Sequence, residues 1–266
     1  MAIDYIIDFS CTPKQQFGTQ DILERLKGEK RAHKIIELFR ESGDNRPPSE
    51  MGFEFTRSTP EGQEETRVMV VQALLDAADQ LRPYAVHCQN CPANRTDMPF
   101  GCIGHIQYPI TKRAENWILD RLPVPDEPLV WLLLKQVVQE FKYDGQLVEP
   151  LREQPGIYFE ASEAPARRLG ELNLNANQIF EMLFVRRPVI LPRQAALLLL
   201  FFGAIERDLE ADTITNLDPA PADALQRFPF IIKPNEHDDR SISDLKAFLH
   251  ALYIAWTLNV HLLIDA

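Results

Sequence analysis

HCQNCPANRTDMPFGCIGH, residues 87–105, is the stretch whose reading decides how this chain is organised. It holds Cys88, Cys91 and Cys102, three of the four cysteines, with His87 and His105 at its ends. Two residues separate Cys88 from Cys91. That spacing lets two thiolates turn toward one ion while backbone amides of the knuckle donate to the sulfurs. Pro92 suits the tight turn that would follow. Gly101 and Gly104 flank Cys102 and would permit the close approach and positive φ of a second ligand loop.

The fourth cysteine lies far upstream. Residues 3–11 alternate, with Ile3, Tyr5, Ile7, Phe9 and Cys11 on one side of a predicted strand. Cys11 therefore completes a four-thiolate set if that strand runs beside the loop. His87 or His105 can stand in for it. Tetrahedral zinc is the default occupant of such ligands, and an iron–sulfur cluster is the rival, since four thiolates serve either. Two metal-free readings compete. The cysteines could be small buried hydrophobes in an interaction scaffold. They could also form a redox pair, but here a helix precedes the Cys-x-x-Cys and a loop follows it.

Composition bounds the alternatives. The 266 residues are 45% hydrophobic and 25% charged, enough for a real core without staples. A net charge of −11 argues against a phosphate-tracking protein, so no nucleic acid is expected. Arg167-Arg168 and Arg186-Arg187 are isolated pairs. No basic, apolar leader opens the chain, and the apolar run from Ala195 to Ile205 is shorter than the about 20 residues a bilayer span needs. The reading is a cytoplasmic protein without a membrane partner, in which stable disulfides are rare. A protein partner remains open.

Helical periodicity marks 19–42, 71–81, 111–122, 129–143, 175–184, 192–205 and 243–258. Thr111 and Asn175 stand at cap positions. Phe53, Phe55 and Arg57, the turn Thr59-Pro60-Glu61-Gly62 and the run 66–70 predict a hairpin. Residues 156–159 read as a short strand. The expected fold is α+β, mostly helical, with one small antiparallel sheet from 3–10, 52–57 and 65–70 beside the cysteine loop. Pro123–Pro128 is the expected boundary between an α+β region, 1–123, and a helical region, 124–266, unless the two form one domain.

The order of one upstream and three downstream cysteines is similar to iron–sulfur nucleases of the CRISPR-adaptation and recombination type. Those families carry a metal-binding Asp and an acid-x-Lys on adjacent strands. Here Glu140-Phe141-Lys142 and Asp244-Leu245-Lys246 fall in predicted helices, so no nuclease activity is carried over. Phosphate loops, dinucleotide fingerprints, zincin helices and serine elbows are absent from the sequence. Paired acids such as Asp4 with Asp8 and Glu115 with Asp120 read as solvated. His33, His237, His250 and His261 read as scaffold. Asp208, Asp212, Asn216 and Asp218 lack the glycine and spacing of a calcium loop. The sequence thus favours a non-enzymatic zinc-stabilised binding or regulatory module, with an iron–sulfur redox protein or enzyme as the alternative.

Overall fold

The computed structural model describes residues 2–58, 64–186 and 188–265. In chain order they form β1 (Ala2–Ile7), α1 (Thr12–Phe17), α2 (Thr19–Glu41), β2 (Gly52–Ser58), β3 (Glu64–Val70) and α3 (Val71–Asp79). Then come β4 (Ile103–Gln107), α4 (Lys112–Leu119), α5 (Pro128–Phe141), α6 (Glu149–Arg152), β5 (Ala166–Leu169), β6 (Leu172–Asn175) and α7 (Ala176–Phe180). The chain closes with β7 (Val189–Ile190), α8 (Pro192–Phe201), α9 (Ala211–Thr215), α10 (Ala224–Arg227), α11 (Arg240–Thr257) and β8 (Leu262–Asp265). The class is α+β with small antiparallel sheets, as the periodicity predicts. Two compact units divide the chain, one of Ser10–Cys91 and one of Met1–Phe9 with Pro92–Ala266.

The smaller unit is built on α2. Ala32, Met51 and Val71 form its buried centre, with Ile35, Ile36, Phe39, Leu74 and Leu75 packed around them. Gly28, the weak point of the apolar stripe, is a packing feature: a Cβ there would touch Leu74 of α3 at 3.4 Å. Arg25 ties α2 to α3, donating to the Ala77 carbonyl at 2.9 Å and to Gln80 at 2.8 Å, and it covers the Phe17 ring. β2 and β3 pair antiparallel from Gly52↔Val70 to Ser58↔Glu64, so the predicted hairpin is present. Its turn, 59–62, lies outside the described residues.

The expectation of a single three-stranded sheet is corrected. β2 and β3 form a sheet of their own, while β1 belongs to a four-stranded sheet of order β4-β1-β8-β7. All its pairings are antiparallel, with Ile3 opposite Ile106 and Asp4 opposite Asp265. β1 pairs with β4 from Ala2 to Ile6 and with β8 from Asp4 to Ile7. Its backbone groups thus find partners on both edges where it is central, and every residue from Ile3 to Ile7 is buried. α11 lies on this sheet. Its stripe of Leu245, Phe248, Leu249, Leu252 and Trp256 is buried, each side chain contributing roughly 1.5–3 kcal/mol of hydrophobic stabilisation. Phe248 meets the edges of Tyr5 and Phe184, and the Trp256 indole donates to the Leu217 carbonyl at 2.7 Å.

Two caps fall where the sequence places them, while Thr19, which reads as the cap of α2, is its first helical residue behind Gly18. The Thr111 hydroxyl accepts from the Ala114 amide at 3.1 Å, and Asn175 forms a reciprocal capping box with Gln178. The helix predicted to run to Phe184 changes character, however. α7 continues as a π-helix over Glu181–Val185. The strand expected at 156–159 is reduced to one bridge between Ile110 and Phe159.

A charged pair holds these helices together. Glu115 of α4 and Arg152 of α6 are both buried and form a two-pronged ion pair. The Arg152 guanidinium also donates to Asn177 of α7 and to the Ala161 carbonyl, and it lies 3.9 Å from the Phe159 ring centroid. Glu115, read from sequence as a solvated acid, is fully buried. Burial pushes its carboxyl up from the ordinary range, and Arg152 pulls it back. Removing one partner strands the other, so Arg152→Ala is expected to cost about 3–5 kcal/mol in urea unfolding.

A second expectation concerns pH. Burial, then the nearby Arg95 charge, holds the His250 imidazole below its ordinary 6.5. Its ring packs against Phe230 and Tyr253. As pH falls below 6.5 the unfolded chain takes the proton before the folded one, so folding stability drops. His250→Gln is expected to shrink the fall in urea midpoint between about pH 7 and about pH 5.5.

Candidate functional site

The cysteine centre expected from sequence is not formed. Among the described residues, no group of three or more His, Cys, Asp or Glu side chains could hold a metal ion. All four cysteines are free thiols, Cys88 and Cys102 buried, Cys11 and Cys91 half-exposed. This overturns both the zinc module and the iron–sulfur alternative, with Cys11, Cys88, Cys91 and Cys102 as ligands or with His87 or His105 substituting.

The local backbone gives the reasons. β1 stops at Ile7, so Cys11 never reaches the sheet; it caps α1, with Pro13 in the first turn. Cys88 ends a 3-10 helix, Arg82–Cys88, and the Cys91 amide donates to its carbonyl at 3.3 Å. His87 belongs to that same helix, its ring tilted against Tyr84. Cys102 leads into β4, where its carbonyl accepts from the Ile7 amide at 3.0 Å. His105 sits within β4, opposite Asp4. Neither Gly101 nor Gly104 has positive φ. Each is small for packing: a Cβ would collide with Asn94 and Thr96 at Gly101, and with the Tyr5 ring at Gly104.

The feature that can take a ligand lies elsewhere. α5 carries two apolar stripes. Val130, Leu134 and Val138 are buried in the core. Leu133, Val137 and Phe141 form a second row, and they face a cavity of about 410 Å³. The π-helical turn supplies Met182 and Leu183, and α8 supplies Leu197, Leu198 and Phe201 across the opening. A π turn shifts the side-chain phase of the helix it interrupts, and such turns recur at functional sites. Here it aims Met182 and Leu183 into the space beside α5. The turn is anchored by Glu181, whose buried carboxylate accepts from the Gly145 amide at 2.6 Å and pairs with Arg186 at 2.9 Å. Gly145 has φ +83°, and a Cβ would stand 2.8 Å from that of Asn177.

Polar groups also line the cavity. Arg186 donates to the Phe141 and Lys142 carbonyls, closing the C-terminus of α5, and covers the Tyr143 ring. Arg193 and Gln194 lie in the first turn of α8, where aligned amides favour negative charge. Arg193 is exposed and makes no ion pair among the described residues. Glu140 is the acid of the lining. Sequence reasoning marked α5 and α8 as strongly apolar but had no signal for the space between them. Its one available hint was that α5 is apolar on more sides than one core contact can cover.

Comparison with protein-family models, curated proteins and solved structures finds no match. No helix among the described residues is long and apolar enough to cross a membrane.

With no shared ion to hold, the half-exposed thiols carry little structure. Cys11→Ser and Cys91→Ser are each expected to shift unfolding free energy by no more than about 0.5 kcal/mol, measured by urea denaturation under reducing conditions.

Proposed function

We propose that this protein binds a small amphipathic molecule, an apolar body carrying an anionic end, in the cavity between α5, the π-helical turn and α8. The observation that carries the reading is an apolar hollow of about 410 Å³ whose lining includes Arg186, Arg193 and Gln194. Small-molecule sites are concave, mostly apolar, and oriented by a few polar groups, with volumes of roughly 300–1,000 Å³. Leu133, Val137, Leu197 and Phe201 would take the apolar body. Arg193 and the first turn of α8 would face the anionic end. The ligand class follows from this pairing; a medium-chain carboxylate is its simplest representative.

Decanoate, measured by displacement of the fluorescent anion anilinonaphthalene sulfonate, tests the reading. Leu197→Trp fills the cavity and is expected to weaken both compounds by about tenfold or more while the fold persists by circular dichroism. Arg193→Glu is expected to weaken decanoate and to leave decanol unchanged. Undiminished binding by the Leu197→Trp variant would overturn the site.

A further inference from the structure

A second concave region lies in the same unit, on the outward side of α4. Two clefts of about 460 Å³ and 540 Å³ share Trp117, Asp120 and Arg121 and so form one groove. Its walls are α4, the segments 202–207 and 231–238, and the start of α11. Unlike the apolar cavity, this groove is lined by charge.

Some of that charge is already matched. Arg207 pairs with Glu127 at 3.0 Å and donates to the Leu200, Phe201 and Arg121 carbonyls. Lys246 pairs with Asp238 at 2.6 Å and donates to the Lys233 carbonyl. Glu206 accepts from the Arg207 and Asp208 amides. What is left over is mostly positive. Arg121 lies 4.7 Å over the Trp117 ring, and the only hydrogen bond of its guanidinium among the described residues is a 3.4 Å contact to the Phe202 carbonyl. Its Nε is buried without a partner. Arg207 adds a like charge beside it, and the carboxylate whose charge acts on Arg121, Asp238, is already paired with Lys246. Arg113 and Lys233, both exposed at the other end of the groove, make no ion pair among the described residues either. Asp120 is the one acid of the groove likewise uncommitted.

A half-buried guanidinium with an unmet donor sits here with two further cations that make no ion pair among the described residues, and the acid near them, Asp238, is shared with Lys246. In a chain of net charge −11 this excess is local. Five cations, Arg113, Arg121, Arg207, Lys233 and Lys246, line the groove against four carboxylates, Asp120, Glu127, Glu206 and Asp238. The excess suits an acceptor-rich anion, and the fork of an arginine binds phosphate oxygens in pairs. We infer that the groove on α4 binds a small phosphorylated molecule, with Arg121 holding the phosphate against Trp117 and with Arg113 and Lys233 as outer cations.

Inorganic pyrophosphate is the probe, titrated into the full chain at low ionic strength and followed by calorimetry, with sodium sulfate at matched ionic strength as the control. Saturable pyrophosphate binding with a Kd near about 1 mM or tighter is expected. Arg121→Gln should weaken it by about tenfold or more. Because Arg121 also packs on Trp117, a double exchange of the exposed cations, Arg113→Gln with Lys233→Gln, serves as the second variant; it should weaken binding while leaving the melting temperature unchanged. Absence of saturable binding, equal binding of sulfate, or pyrophosphate affinity untouched by the double exchange would each overturn the assignment. Decanoate should not compete with pyrophosphate, so failure here is distinct from failure of the apolar site.

Discussion

The contact between Glu115 and Arg152 takes two charges out of water, and most of the larger unit is arranged around that fact. Desolvating an ion costs several kcal/mol even after relaxation, and the attraction offsets it only with good geometry and further hydrogen bonds. Arg152 has them: two carboxylate oxygens, the Asn177 amide oxygen, the Ala161 carbonyl and the Phe159 face. The pair fixes α4 against α6 and α7. From α7 the chain passes directly into the π-helical turn that lines the apolar cavity. From α4 the opposite side presents Arg113, Trp117 and Arg121. One buried ion pair therefore sets the position of both concave surfaces.

How much of this was legible in the sequence depends on the range of the interaction. Helix caps are local, and Thr111 and Asn175 are visible as such because the amides they satisfy lie three residues away. The hairpin of β2 and β3 is also local. The ion pair is not: 37 positions separate Glu115 from Arg152, and nothing beside Glu115 in the sequence points to so distant a partner. β4 and β8 were missed for a related reason. They are short strands whose apolar residues gain meaning only when β1 lies between them. β1 is legible from its own alternation, but its partners are not the strands nearest in sequence.

The cysteines show how a spacing can mislead. Cys-x-x-Cys with glycines nearby is compatible with a chelating knuckle, yet each of those residues has a local task. Gly104 leaves room for the Tyr5 ring across the sheet, and Gly101 leaves room for Asn94 and Thr96. Cys88 closes a 3-10 helix. Burial of a thiol needs no metal to explain it, since cysteine is a small hydrophobe. The apolar row of Leu133, Val137 and Phe141 is the converse case, a pattern with more apolar surface than the core uses.

The pairing of β1 with β8 has a consequence for synthesis. β1 is made before both of its neighbours, and its residues from Ile3 to Ile7 are buried in the finished sheet. One neighbour, β4, arrives about a hundred residues later, and the other lies at the opposite extreme of the sequence. Until both are made, the nascent chain carries an apolar strand with an open edge, the kind of surface that templates aggregation. The sheet cannot close before β8 is made, and the β4-β1-β8-β7 order makes β8 its gatekeeper.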